Sequence, residues 1–261
     1  MRKIHRLLSS CRRGYFKYLY LCTLNHKIRK IRRKETIRVL FAVAESATWK
    51  NDSLYRAMLM HPGFTPLILV LPDEQKEESL KREGVDTCFD FFHNKGYTCS
   101  YPYENGKLIN IRKALNPDII FYKKPYTYYP ESFLYRRNLN ALFCYTNYAF
   151  HSLLADWANK NDFFQLVWQN YYENESAFTD LKRKYPEAAS NIVVTGLPIT
   201  DLFLNENHED RWKKTDEKYK RIIWAPHFSI SGEKKRLTGT TRNGKNSRTP
   251  NWRLVSMLTY S

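Results

Sequence analysis

No two cysteines in this chain are spaced as C-x-x-C, and no apolar run nears the roughly 18–20 residues that cross a bilayer. Walker, G-x-G-x-x-G, H-E-x-x-H and G-x-S-x-G segments are all missing. Those gaps argue against P-loop ATPases, simple dehydrogenases, zincins and α/β-hydrolases. The five cysteines (Cys11, Cys22, Cys88, Cys99 and Cys144) fall at irregular intervals, an odd set without metal-ligand spacing. That usage suits reduced thiols in a cytosolic protein better than a disulfide framework. No small-residue cleavage site follows the short apolar stretch Tyr18–Leu24, so a secretory leader is not expected.

Acidic residues are scarce at both ends. Residues 1–35 hold 12 Lys/Arg against one acid, residues 231–261 hold seven against one, and residues 36–230 hold 24 of each. The net charge of +17 therefore belongs to the termini, and the body is neutral. Hydrophobic content of 43% and aromatic content of 15% mark a globular chain able to bury a sizeable core. From Ser231 onward, Gly, Ser, Thr, Asn, Lys and Arg dominate without periodicity, and a basic tail of low order is expected.

In the N-terminal segment, Ile4, Leu8, Cys11, Tyr15, Leu19 and Cys22 recur at three- and four-residue steps. That spacing predicts a basic amphipathic helix over 2–24, either lying on an anionic membrane surface or packed on the body. The body alternates strands and helices. Strands are expected at 37–44, 65–71, 118–122, 141–145, 165–168, 192–195 and 221–224. Helices are expected at 48–60, from a cap at Asp73 to Arg82, near 131–137 and near 174–184. Near-continuous apolar strands alternating with helices indicate an α/β protein, a parallel sheet with helices on both faces.

In such sheets ligands bind beyond the carboxyl ends of strands. The residues found there are Glu45–Trp49, Lys123-Lys124-Pro-Tyr126, Tyr145-Thr-Asn147-Tyr148 with His151, Gly196 to Asp201, and Pro226-His227-Phe-Ser229. Each has a plain structural reading beside the functional one. Lys123 and Lys124 are solvated loop charges or contacts to an anionic substrate. His151 is a packing residue or a general base. Gly196 supplies a backbone shape that only glycine tolerates, and Asp201 caps the next helix. His227, at a turn leaving a buried strand, is placed to meet phosphate.

Pro117-Asp-Ile-Ile-Phe-Tyr-Lys-Lys-Pro-Tyr126, Cys144-Tyr-Thr-Asn-Tyr148, Val193-Val-Thr-Gly-Leu-Pro198 with Asp201, and Ile223-Trp-Ala-Pro-His227 occur in an order that resembles the CDP-glycerol glycerophosphotransferase family. The resemblance runs over residues 37–230. It implies a GT-B architecture of two Rossmann-like halves, of which this chain supplies the N-terminal half. It also implies transfer of glycerophosphate or a sugar from a nucleotide-activated donor, CDP-glycerol or a nucleotide sugar, to a lipid-linked acceptor in bacterial cell-surface polymer synthesis. An enzyme of that kind sits in the cytoplasm, peripheral on the inner face of the cell membrane; no metal or cofactor is expected for this chain.

Carried over by position, Gly196-x-Pro198-x-x-Asp201 matches the family's crossover element, and Ala225-Pro226-His227 its entry to the donor half. Catalytic candidates are His151, Tyr145 and Asn147. Substrate-binding candidates are Lys123, Lys124, Tyr126, Tyr148, Gly196, Asp201, His227 and Ser229. The better-known members carry a W-H-G-T-type segment where this chain has Tyr145-Thr-Asn-Tyr148, and nothing after Ser231 resembles their C-terminal half. A truncated member with impaired activity is therefore expected. Its parts would be a membrane-surface segment at 1–35, an acceptor-side domain at 36–204, a linker and first donor-side strand at 205–230, and a tail at 231–261. The alternatives are a basic nucleic-acid-binding protein, against which the neutral body argues, and a non-catalytic partner subunit on a half-GT-B scaffold.

Overall fold

A computed structural model describes residues 2–123, 128–147, 162–186 and 189–204; the side chains of 2–14, 16, 17, 162 and 165 are outside that description. The chain divides near residue 206, and everything described belongs to the first compact unit. The expected strand at 221–224 and the tail lie outside the described residues.

Seven parallel strands form the centre: β1 (Ile37–Val43), β2 (Phe64–Val70), β3 (Cys99–Ser100), β6 (Ile119–Tyr122), β7 (Leu142–Thr146), β8 (Gln169–Tyr172) and β9 (Ile192–Val194). Their order across the sheet is β3-β2-β1-β6-β7-β8-β9. Two further short strands, β4 (Tyr103–Glu104) and β5 (Lys107–Leu108), make a separate antiparallel pair. The chain builds outward from β1 through β2 to β3, then returns to lay β6 on the other side of β1. The order therefore reverses between β1 and β6, which opens a crevice at the carboxyl ends of those two strands. This is a Rossmann-like α/β sheet, as the strand pattern predicts.

Alternate residues of each strand feed two apolar layers. On one face Val39, Phe41, Val43, Phe121 and Cys144 pack with α2 (Asp52–Met60) and α3 (Glu78–Asn94). On the other, Leu40, Ala42, Ile120, Tyr122, Phe143 and Tyr145 pack with Tyr20 of α1 (Arg2–Arg32) and with Phe163 and Phe164 of α5 (Asp162–Leu166). Two shorter or later helices, α4 (Ile111–Ala114) and α6 (Glu175–Lys184), complete the described set. Asn110 and Asn174 cap these last two through side-chain oxygens that accept from Lys113 N and Ala177 N.

Several boundaries differ from expectation. The helix expected at 48–60 begins at Asp52, because residues 46–48 form a separate 3-10 turn. Asp73 does not cap α3: its carboxylate accepts from Gln75 N in a local turn, and the helix starts five residues later and runs on to Asn94. Residues 131–137 are two 3-10 turns and not one helix. The expected strand at 165–168 is the end of α5 and the step into β8. Cys22, Cys88, Cys99 and Cys144 are free thiols.

The N-terminal helix runs past its expected end at residue 24 to Arg32. Its patterned apolar face is exposed at Tyr15 (61%), Leu19 and Cys22. The buried positions are Tyr20 and Ile31, with Leu24 and Ile28 partly covered. Tyr20 stacks on Phe143 with ring centroids 5.0 Å apart, and its hydroxyl oxygen accepts from Phe143 N. Just past the helix, Lys34 pairs with Asp118 at 2.6 Å. No described helix is long and apolar enough to cross a membrane.

Candidate functional site at the carboxyl ends of the sheet

The turn from β1 to α2 is set by aromatic packing. Trp49 lies edge-on against Phe41, Tyr55, Phe92 and Tyr97, with centroid separations between 5.3 and 6.3 Å. Its indole N–H donates to the Tyr97 hydroxyl, which in turn donates to the Asp52 carboxylate. Tyr55 closes the set by accepting from Thr98 N. Aromatic contacts of this kind contribute about 0.5–1.5 kcal/mol each beyond the area they bury. Together they fix where the two residues between Trp49 and Asp52, Lys50 and Asn51, can point.

Between them, Asn51 occupies the N-cap position of α2, yet its side chain makes no capping bond. It turns to the strand ends instead. Lys123, immediately after β6, donates from Nζ to Asn51 Oδ1 at 2.8 Å and to Thr146 Oγ1 at 3.2 Å. Asn51 Nδ2 lies 2.9 Å from Thr146 Oγ1, and that hydroxyl lies 3.0 Å from Asn51 Oδ1. The carboxyl ends of β1, β6 and β7 are thus tied by three polar side chains at the point where the strand order reverses.

Lys123 is 1% exposed and Asn51 0%. Among the described residues Lys123 has no carboxylate partner. Burial depresses its ammonium to about 7, and the charge of Lys50 pushes in the same direction. The solvated-charge reading of Lys123 is therefore overturned: it is a buried amine that titrates near neutrality.

The remaining predicted residues distribute as follows. Asn147, beside this cluster in sequence, is buried and accepts from the Tyr145 hydroxyl at 3.1 Å. The Tyr145 ring itself belongs to the core layer against Phe163 and Phe164. Gly196 has φ +85°, the left-handed conformation that favours glycine. Asp201 lies exposed within the 3-10 segment Pro198–Leu204, not ahead of a helix as a cap. That segment meets α2, where Ser53 Oγ donates to Pro198 O at 3.1 Å. The Gly196–Asp201 element and the Lys123 cluster therefore share one pole of the sheet. Lys124, Tyr126, Tyr148, His151, His227 and Ser229 lie outside the described residues.

The sequence reading missed Asn51 and passed over Thr146. A helix start assigned to Thr48 hid Asn51 inside the helix, whereas the Trp49-Lys-Asn51 step signals a turn that ends at a cap residue. Between α4 and the 131–138 turns, a cavity of about 880 Å³ is lined by residues that include Arg112, Lys113, Glu131 and Arg137. Glu131 is already paired there with Arg136 and Arg137. No cluster of metal-ligating side chains occurs among the described residues.

The fold and site define a Rossmann-like α/β domain with a polar switch point. No protein-family model matches the chain, and no curated protein matches it. Solved structures similar to it include a UDP-N-acetylglucosamine 2-epimerase, at 14% identity and a TM-score of 0.44 over 68% of this chain and 53% of that one. Another is UDP-GlcNAc 2-epimerase from Neisseria meningitidis bound to UDP-GlcNAc, at 13% identity and a TM-score of 0.40 over 64% and 49%. This chain spans about half the length of either. At that level the likeness carries no argument about chemistry, and the fold rests on the strand register itself.

Proposed function

We propose that the chain belongs to the machinery that moves glycerophosphate or a sugar from a nucleotide-activated donor to a lipid-linked acceptor, in the manner of the CDP-glycerol glycerophosphotransferases. The observation that carries this reading is the meeting of the Lys123–Asn51–Thr146 cluster with the Gly196–Asp201 element at one pole of a parallel sheet. Anionic ligands of such sheets collect at that pole. The reaction needs a base for the acceptor hydroxyl, for which His151 is the candidate, and positive groups for the leaving nucleotide phosphate. Calorimetric titration of the full chain with CDP-glycerol, CDP, UDP and a nucleotide sugar tests it. Saturable binding of at least one, reduced at least tenfold by Asn51→Leu, is the expected result; no binding to any of them removes the reading.

In this reading α1 also holds the protein on the anionic inner face of a membrane. Supporting it, Tyr15, Tyr18, Leu19 and Leu21 remain exposed on a helix from a segment with 12 basic residues. Flotation with phosphatidylglycerol vesicles is expected, and its loss in a Tyr15→Ser/Tyr18→Ser/Leu19→Ser variant. Equal recovery of the two proteins with the vesicles would contradict this placement.

A further inference from the structure

Lys123 is unusual in what it lacks. A neutral amine has two hydrogens to donate, and it has two acceptors, Asn51 Oδ1 and Thr146 Oγ1. Both are neutral oxygens. Protonation adds a third donor and a full charge, for which the described residues offer neither a third acceptor nor a carboxylate. Asp52, next to Asn51, is already engaged, pairing with Arg56 at 3.1 Å and accepting from Tyr97, and Asp118, nearest to Lys123 in sequence among the described acids, pairs with Lys34 at 2.6 Å. From the β1 turn the charged group that faces Lys123 is Lys50, which opposes protonation; from β7 the neighbour is the neutral Thr146. Among the described residues the cluster is satisfied only while Lys123 is uncharged.

An anion arriving over the ends of β1, β6 and β7 reverses that balance. In a site screened from water, a phosphate oxygen within a few ångströms of a buried amine stabilises its charged form far more than bulk solvent does. We propose that Lys123 is a proton-linked counter-charge for a nucleoside diphosphate: it rests neutral between Asn51 and Thr146 and takes a proton from solvent as the diphosphate seats at the strand ends. The inference rests on the nucleotide-donor reading above and adds to it a mechanism for anion selectivity. A neutral sugar or alcohol gains nothing from the proton, whereas a diphosphate gains an ion pair that did not exist before it bound. Lys123 is here a positioning and charge-balancing residue; no bond to it forms or breaks apart from that of the proton.

The test is calorimetric titration of the full chain with CDP, and with UDP as a second probe, at pH 8 in two buffers of different ionisation enthalpy. The heat difference gives the protons taken up per nucleotide bound. At pH 8 about nine in ten free Lys123 side chains are neutral, given a titration near 7. Uptake approaching one proton is expected, with affinity falling about tenfold per pH unit above 8.

Lys123→Met removes the proton acceptor, and Asn51→Asp gives the lysine a permanent counter-ion. Each should abolish the uptake, and neither depends on the other folding well. Nucleotide binding with no proton uptake, or with the same uptake in both variants, overturns the proposal and leaves the donor reading standing. Absence of binding by both nucleotides overturns the proposal, and the donor reading falls with it only when CDP-glycerol and the nucleotide sugar also fail to bind.

Discussion

At the residue scale Lys123 dominates, because its burial costs stability as well as shaping chemistry. Its titration falls to about 7 in the folded chain, against about 10.4 for a free lysine. Between those values the unfolded chain binds more protons than the folded one, so this group makes stability rise with pH from about 7 to about 10.4. Below 7 the full penalty of a buried charge applies. Lys123→Met removes the penalty, and its stability relative to the natural chain should decline by on the order of 3–5 kcal/mol between pH 6.5 and 10. Urea unfolding at several pH values checks this; a pH-independent difference would show that Lys123 is not buried as an isolated charge. A lysine at the end of an apolar run was legible in the sequence. That Asn51 and Thr146 would close over it was not, since they come from turns after different strands. Gly196 was legible outright, because its left-handed backbone is a local requirement.

At the scale of elements, continuous apolar runs such as Val39–Val43 and Ile119–Tyr122 announce buried parallel strands wherever they occur. The misreadings came where periodicity is shared between structures. Phe163, Phe164, Leu166 and Val167 are all buried, so the run reads as a strand, but it folds as a helical turn before the more polar β8. On α1, two faces carry apolar residues, and the stack of Tyr20 on Phe143 decides which one turns inward. Lys27 follows Tyr20 on that face, its Nζ 4.0 Å from the ring centroid and held down to about 8 by burial. Tyr20→Ala should therefore cost about 3–5 kcal/mol in denaturant unfolding. Tyr15→Ala, on the exposed face, should change stability by no more than about 0.5 kcal/mol. Equal effects would mean that the helix docks through the face the sequence pattern favours.

At the scale of the molecule, the reversal of strand order between β1 and β6 gives the sheet two unequal poles. The carboxyl pole gathers Asn51, Lys123, Thr146 and, through the Ser53–Pro198 contact, the Gly196–Asp201 segment. The flank between α4 and the 131–138 turns carries the cavity beside Arg112, Lys113 and Arg137. Both hold positive side chains, so net charge alone does not choose between them. Burial and strand topology do, because among the described residues only the carboxyl pole combines a desolvated amine with the point where the strand order reverses. Hydrogen–deuterium exchange with saturating CDP measures the choice directly. Slowed exchange in peptides covering 45–54, 119–123, 142–147 and 195–201, with 110–116 and 131–138 unchanged, is the predicted result; protection confined to 110–116 and 131–138 would contradict it.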